Sequence, residues 1–249
     1  GNLRSLNKEI ILEQINYLVK DGFKEIIIIA QDITDYGKDL YDDYRLSELL
    51  YDINGINGEF YIRLLYTYPG KFTDKLIEAI RILPKIIKYI DMPIQHISDH
   101  VLRDMGRHTN KEEIKNLVKK LKDEIPEVIL RTSVITGYPT ETEEDFEELL
   151  AFVEERHFLH FGAFSFSPQE HTKSFEISNN FDYSKAEKRK EILELSHNQF
   201  YNDHNNDLID KTFDVIVDEN NDHDNRSFAR LFEDAPDIDR VVEIDGIHK

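Results

Sequence analysis

The sequence predicts an α/β protein built on a parallel sheet, and three observations carry that expectation. Strand-like and helix-like segments alternate along the chain from Asn7 to Phe166. The strand segments are continuously apolar, as in IIIIA at Ile26, a pattern expected of strands covered on both faces. Each of them ends in a short turn holding Gly, Pro or polar residues, the form of a βα connection. Repeated βα units pair in parallel through right-handed crossovers, most economically in an open or closed βα barrel.

Taken in order, Ile10, Ile11, Ile15, Leu18 and Val19 share one face of a helix over Asn7 to Lys20, which Asp21-Gly22 ends. The strand Ile26 to Ala30 runs into QDITDYG. A helix over Leu46 to Ile53 leads to the strand Phe60 to Tyr66, which ends in TYPG. The helical period over Thr73 to Leu83 leads to the strand IIKYIDM, which ends in PIQHIS. Helices are expected over Ser98 to Met105 and Lys111 to Ile125. The next strand, Ile129 to Ile135, breaks at Gly137 and Pro139 and restarts as a helix at Thr142, where Asp145 completes a Thr-x-x-Asp capping pattern. That helix reaches Glu155, and a last strand covers Leu159 to Phe166. Ser184 to Ile209 reads as a charged helix. Beyond Lys211 two strand signals, FDVIV and VVEI, lie among Asp and Asn, which favour turns. The expected organisation is a barrel over 1–183, a connecting helix over 184–210, and over 211–249 either a truncated β-domain or a segment docked on something else.

Composition narrows the function classes. The 31 basic and 50 acidic side chains give a net charge of −19, which repels a phosphate backbone, so nucleic acid is an unexpected substrate and a basic protein an expected one. There is no cysteine, which removes disulfides and thiolate metal sites from these residues. The apolar run IIIIA is far too short to span a bilayer and no signal peptide is visible, so no membrane association and a cytoplasmic location are expected. The chain opens on Gly1 rather than Met, as a fragment would.

In parallel α/β folds, ligands bind at the carboxyl ends of the strands. Here those ends carry Gln31 and Asp32, Tyr66 and Tyr68, Gln95 and His96, Thr136 and Tyr138, and Ser165 and Ser167, a set expected to form a binding rim. His96 and His100 have the spacing of paired metal ligands, but His96 lies before the helix that Ser98 or Asp99 caps, so no metal site is expected there. No Gly-rich phosphate loop and no Ser/His/Asp arrangement stands out. The acids of ETEEDFEELL suit the first turn of a helix. Arg131, beside a buried strand, needs an anion: a ligand carboxylate or a neighbouring Asp or Glu.

Six segments together resemble the radical S-adenosylmethionine methylthiotransferases, and within them the branch that modifies an aspartate of small-subunit ribosomal protein twelve. They are GNLRS at Gly1, IIIIAQDITDYGKDLY at Ile26, IRLLYTYP at Ile62, YIDMPIQHISDHVLRDMGR at Tyr89, LRTSVITGYPTETEEDFEELLAFVEE at Leu130, and DAPDID at Asp234. The resemblance implies a partial (β/α)6 TIM-like barrel lacking its first strand, followed by the start of a TRAM-like β module. It also implies S-adenosylmethionine across the strand ends, with Gln31, Asp32 and Thr34 near its methionine end, Gln95 and His96 near the ribose, and Ser133, Ile135 and Gly137 along the adenosine. A 4Fe-4S cluster, two in the full-length form, and an electron donor complete the implied set.

The departures matter as much. The family's Cys-x3-Cys-x2-Cys cluster loop precedes the segment matching GNLRS, so these residues alone are not expected to cleave S-adenosylmethionine, and no residue of this chain is expected to be catalytic. Ile33 and Asp35 stand where Thr and Arg are favoured, Thr140 where Gly is, and His171 where EGT is expected; four extra residues, Arg230 to Glu233, precede DAPDID. A sister branch methylthiolates an adenosine of transfer RNA. The tail from Lys211 holds five Lys or Arg against eleven Asp or Glu, a balance that favours a basic ribosomal protein over RNA. A third expectation, from another class, is a cysteine-free, non-catalytic module that binds a basic partner.

Overall fold

The computed structural model describes residues 2–179 and 181–248; Gly1, which opens GNLRS, and Lys249, counted in the tail, lie outside them. The elements in chain order are α1 (Lys8–Lys20), β1 (Glu25–Ile28), α2 (Lys38–Tyr41), α3 (Leu46–Asn54), β2 (Tyr61–Leu64), α4 (Asp74–Ile82), β3 (Ile86–Asp91), α5 (Asp99–Asp104) and α6 (Lys111–Glu124). There follow β4 (Ile129–Thr136), α7 (Glu143–Glu154), β5 (His160–Ser165), α8 (Lys173–Glu176), α9 (Tyr183–Asp207), β6 (Val215–Asn221), β7 (Arg226–Leu231) and β8 (Val242–Asp245).

Strands β1 to β5 form one sheet in sequence order, and β6, β7 and β8 form a second. The pairings β1 with β2, β2 with β3 and β4 with β5 are all parallel, as the βα alternation predicts. The fold class is therefore α/β with a parallel five-stranded sheet and a small antiparallel sheet. The helix starts follow from their caps: Thr73 accepts the Leu76 amide, Asn110 with Glu113 and Thr142 with Asp145 form capping boxes, and Asp182 accepts the Lys185 amide.

The chain divides into two compact units. The first comprises Gly1–Thr67, Lys71–Ile90 and Asp210–Lys249. Its core gathers Leu50, Ile53, Ile62, Leu64, Ile80 and Ile86 around the first strands, all at most 1 % exposed. The tail belongs to it. A strand absent from the sequence expectation, β7, lies between the two anticipated ones and pairs antiparallel with each. Buried charge ties this sheet down: Glu25, at the start of β1, accepts Arg63 Nε at 2.5 Å through one oxygen and Arg230 Nη2 at 2.5 Å through the other. Arg63 also donates to the Phe232 carbonyl at 3.2 Å, and Tyr89 donates its hydroxyl to Asp239 of DAPDID at 2.6 Å. The four extra residues complete β7 and its turn, and Arg230, the first of them, is the one that reaches Glu25.

The second unit comprises Tyr68–Gly70 and Asp91–Ile209. Strand β4 is its axis. Leu130, Thr132, Val134 and Thr136 are at most 1 % exposed, whereas Arg131, Ser133 and Ile135 are half-buried on the opposite face. Helix α9 comes so close to the turn after β4 that a Cβ on Gly137 would lie 2.3 Å from the Ala186 Cβ. Gly137 also has φ +72°, which a residue bearing a side chain adopts only with strain.

Candidate binding face at the strand ends

In the first unit, β1 leads into a 3-10 turn over Ile33–Asp35. Asp32 caps it, accepting the Thr34 amide at 2.9 Å and the Thr34 hydroxyl. Its second oxygen meets Lys71 Nζ at 2.7 Å, and Asp35 meets the same ammonium at 2.6 Å. Burial lowers the Lys71 pKa, but the hydrogen bonds it donates to the two carboxylates, with their charge, outweigh this and leave the ammonium held above its ordinary value. Thr34 is 1 % exposed. Of the three residues predicted here, Asp32 and Thr34 are engaged in building the turn, and Gln31 is exposed.

In the second unit, Gln95 continues the ladder beyond β3. Its amide donates to the Ser133 carbonyl at 3.0 Å, and its carbonyl accepts the Ile135 amide at 2.8 Å. Gln95 does this with φ +70°, a left-handed conformation, so its half-buried side chain is set by an unusual backbone. Across the β4–β5 register, Ser133 lies opposite Gly162 and Ile135 opposite Phe164. Phe164 is 56 % exposed although it belongs to a strand. Two small residues beside an aliphatic and an aromatic side chain make an open floor with an apolar end, a shape that accepts a planar, partly polar group.

His96 and Gly137 face the protein instead. His96 is fully buried; its Nδ1 accepts the Ser98 amide at 3.0 Å, which places the proton on Nε2, 3.5 Å from Glu141 Oε1. The other Glu141 oxygen accepts the Gly137 amide and pairs with Arg189 Nη1 at 3.0 Å. Arg189 donates onward to the Thr142 carbonyl at 3.0 Å and to Glu143. His96 and Gly137, of which a ribose and an adenosine contact are expected, are thus engaged within the second unit, where with these partners they join the segment after β3 to the turn after β4 and to α9. Arg131 likewise has its anion inside the protein, Asp91 at 2.8 Å, the neighbouring acid of its two alternatives. Glu141, Arg189 and Phe164 went unnoticed in sequence. Glu141 stood among helix-start acids, Arg189 in a charged helix, and an exposed strand Phe has no sequence signature.

His100 lies between Asp145, at 3.1 Å, and Asp104, at 3.3 Å, and the Ser98 hydroxyl donates to Asp145. This is no nucleophile triad, because the serine proton already points at a carboxylate and no base takes it. Among the described residues no helix is long and apolar enough to cross a membrane.

Comparison with known proteins agrees with this architecture. The chain is 42 % identical over 97 % of its length to "Ribosomal protein uS12 methylthiotransferase RimO" of Clostridium botulinum strain Eklund 17B, covering 54 % of that protein. It is 40 % identical over 99 % of its length to the protein of the same name from Thermotoga petrophila, covering 57 % of it. The chain thus spans about half the length of the curated relatives it matches. Among solved structures, coproporphyrinogen III oxidase (HemN) from Escherichia coli, a radical SAM enzyme, superimposes with a TM-score of 0.51 at 16 % identity, over 79 % of this chain and 46 % of that one. The radical S-adenosylmethionine methyltransferase TsrM from Kitasatospora setae gives 0.51 at 14 % identity, over 64 % and 31 %. Both likenesses concern the fold. Residues 1–153 match the radical SAM superfamily, and the chain belongs to it.

Proposed function

We propose that the whole protein is a radical S-adenosylmethionine methylthiotransferase that adds a methylthio group to the β carbon of an aspartate in ribosomal protein uS12. This chain would supply the barrel over 1–183, the connecting helix over 184–210 and a TRAM-like segment over 211–249. The observation that carries the reading is the identity of 40–42 % to relatives of that name across nearly the whole chain, tail included. A match confined to residues 1–153 would suit any member of the superfamily.

Two cofactors are implied, and they fit differently. A 4Fe-4S cluster is held by thiolates, and the 249 residues contain no cysteine, so these residues do not fit it and no step is assigned through it. S-adenosylmethionine fits the open face of β4 and β5. When bound, it supplies the adenosyl and sulfonium chemistry of the family. What the chain's own residues do is bind and orient. Ser133 and Gly162 leave room for a ribose-sized group, Ile135 and Phe164 offer an apolar surface to a base, and Gln95 presents an amide from a fixed backbone. His96, Glu141, Gly137 and Arg189 act beneath as positioning residues. Gln31 remains the candidate in the first unit for the methionine end.

An acidic tail suits a basic substrate protein, since opposite potentials steer encounter. An electron donor is a further partner of the reading, and the cytoplasm is its location. The test is deletion of the gene followed by mass spectrometry of ribosomal protein uS12 and of hydrolysed transfer RNA. Loss of a methylthio mass increment from uS12 is the expected result. Loss from a transfer RNA adenosine would move the protein to the sister branch, and no change in either would leave a non-catalytic binding module.

A further inference from the structure

We propose that Lys122 is an activated amine and a site of acylation by acyl phosphates, with His157 as its base and Glu155 holding that base in place. Three groups from two elements carry this assignment, which is independent of the methylthiotransferase reading. Lys122 lies on α6, half-buried. His157 follows α7 and sets its Nδ1 3.5 Å from Lys122 Nζ. His157 Nε2 lies 2.9 Å from Glu155 Oε2. A carboxylate accepts only, so the Nε2 proton belongs to that bond and Nδ1 keeps a lone pair aimed at the amine. Carboxylate, imidazole and nucleophile in this order are the arrangement that activates a nucleophile.

The surroundings favour the neutral amine. Burial lowers the Lys122 pKa below that of an ordinary lysine. Lys115 pairs with the other oxygen of Glu155, and further charged groups on these elements are engaged elsewhere: Lys119 with Asp123 at 2.9 Å, Lys120 with Glu124 at 3.7 Å, and Arg156 with Asp203 of α9 at 3.2 Å. Glu155 is held below its ordinary pKa: burial raises it, and Lys115 and His157 outweigh that, so the carboxylate stays charged to orient the imidazole.

The step balances without a further reagent. The resting ammonium gives one proton to His157 Nδ1, which frees an electron pair on Nζ. That pair attacks the carbonyl carbon of the acyl phosphate and a C–N bond forms. The bond from that carbon to the phosphate oxygen breaks, and phosphate leaves with the electron pair. The second proton released by the nitrogen passes to solvent through the imidazole, and the product is an amide at Lys122.

The test incubates the full chain with acetyl phosphate and reads the initial rate at each lysine by isotope-dilution mass spectrometry, folded and unfolded in urea. A base positioned at the amine takes its proton as the new bond forms, an effect worth about 10²-fold or more at full strength. With His157 Nδ1 3.5 Å from the amine, Lys122 is expected to react at least about threefold faster than Lys119 in the folded chain, and equally fast in urea. The variant His157→Gln should bring Lys122 to the Lys119 rate while leaving Lys119 unchanged, and circular dichroism confirms that it folds. A folded-state ratio near one, or the same ratio in folded His157→Gln, would overturn the proposal. Should that variant not fold, Glu155→Gln takes its place with the same two outcomes.

Discussion

Arg131 and Asp91 form an ion pair of 2.8 Å in which the carboxylate is 1 % exposed and the guanidinium 14 %. Both ends lie in the second unit, beside the face that carries Ser133 and Ile135. Removing one partner of a buried pair leaves the other charge desolvated, which costs about 3 kcal/mol. Arg131→Met is expected to destabilise the chain by roughly that amount in urea titrations, and Arg131→Lys by less, because one bond survives. A structural pair also predicts that Arg131→Lys leaves S-adenosylmethionine affinity unchanged in calorimetry. A stable Arg131→Met variant, or lost affinity in Arg131→Lys, would return the arginine to the ligand.

Gly137 meets two independent demands, a φ of +72° and the approach of Ala186. Gly137→Ala adds strain and a clash together and is expected to cost about 2–4 kcal/mol. The double variant Gly137→Ala, Ala186→Gly relieves the clash alone, so it should recover part of the melting temperature once the cost of Ala186→Gly in a helix is subtracted. Full recovery would show that the backbone conformation carries no cost; no recovery would show that α9 does not pack there.

The elements of the parallel sheet were legible because their periods and caps are local. Thr142 and Asp145 announced α7 from a four-residue pattern, and the capping box is present in the structure. Ser98 was readable as an N-cap, yet its hydroxyl turns to Asp145, a partner 47 residues away. Binding roles were less legible, because a strand-end position does not say which way a side chain points. Gln95 and His96 are neighbours in sequence, and one is half-buried with a left-handed backbone while the other is sealed against Glu141. The strand β7 was missed because RSFARL alternates with charges, and its buried Arg230 finds a partner only through Glu25 and Asp218.

Asp145 should make the stability of the chain acid-sensitive. Burial raises its pKa, but hydrogen bonds from the Ser98 hydroxyl, the Thr142 amide and His100 outweigh it and hold the carboxyl well below the usual range. A carboxylate depressed in the folded state adds stability that is fully present above the unfolded value of about 3.9 and is lost as pH falls toward the folded value. Asp145→Asn is expected to cost about 1–2 kcal/mol at pH 7, mostly through the lost cap. The gap from the native chain should narrow only below about pH 4. Thermal melts from pH 7 to pH 3 read this directly, and a gap that narrows already between pH 7 and pH 5 would assign the effect to another group.

Glu25 is the junction on which the tail sheet depends. Its two oxygens face two guanidinium groups, and the side chains of Glu25, Arg63 and Arg230 are 6 %, 0 % and 3 % exposed. Two buried cations against one anion are tolerable only because each arginine has a second acceptor: the Phe232 carbonyl for Arg63 and Asp218 for Arg230. Glu25→Ala leaves both cations facing each other's field across an empty site and is expected to cost about 3 kcal/mol or more. Glu25→Gln keeps the volume and one acceptor, so it should fall between the two. Hydrogen exchange distinguishes this from a general loss of stability. Amides of β7 should lose protection before those of β4, because Glu25 and β7 belong to the first unit and β4 to the second. Equal loss in both strands would mean that the tail is held by its apolar contacts, with the charges contributing little.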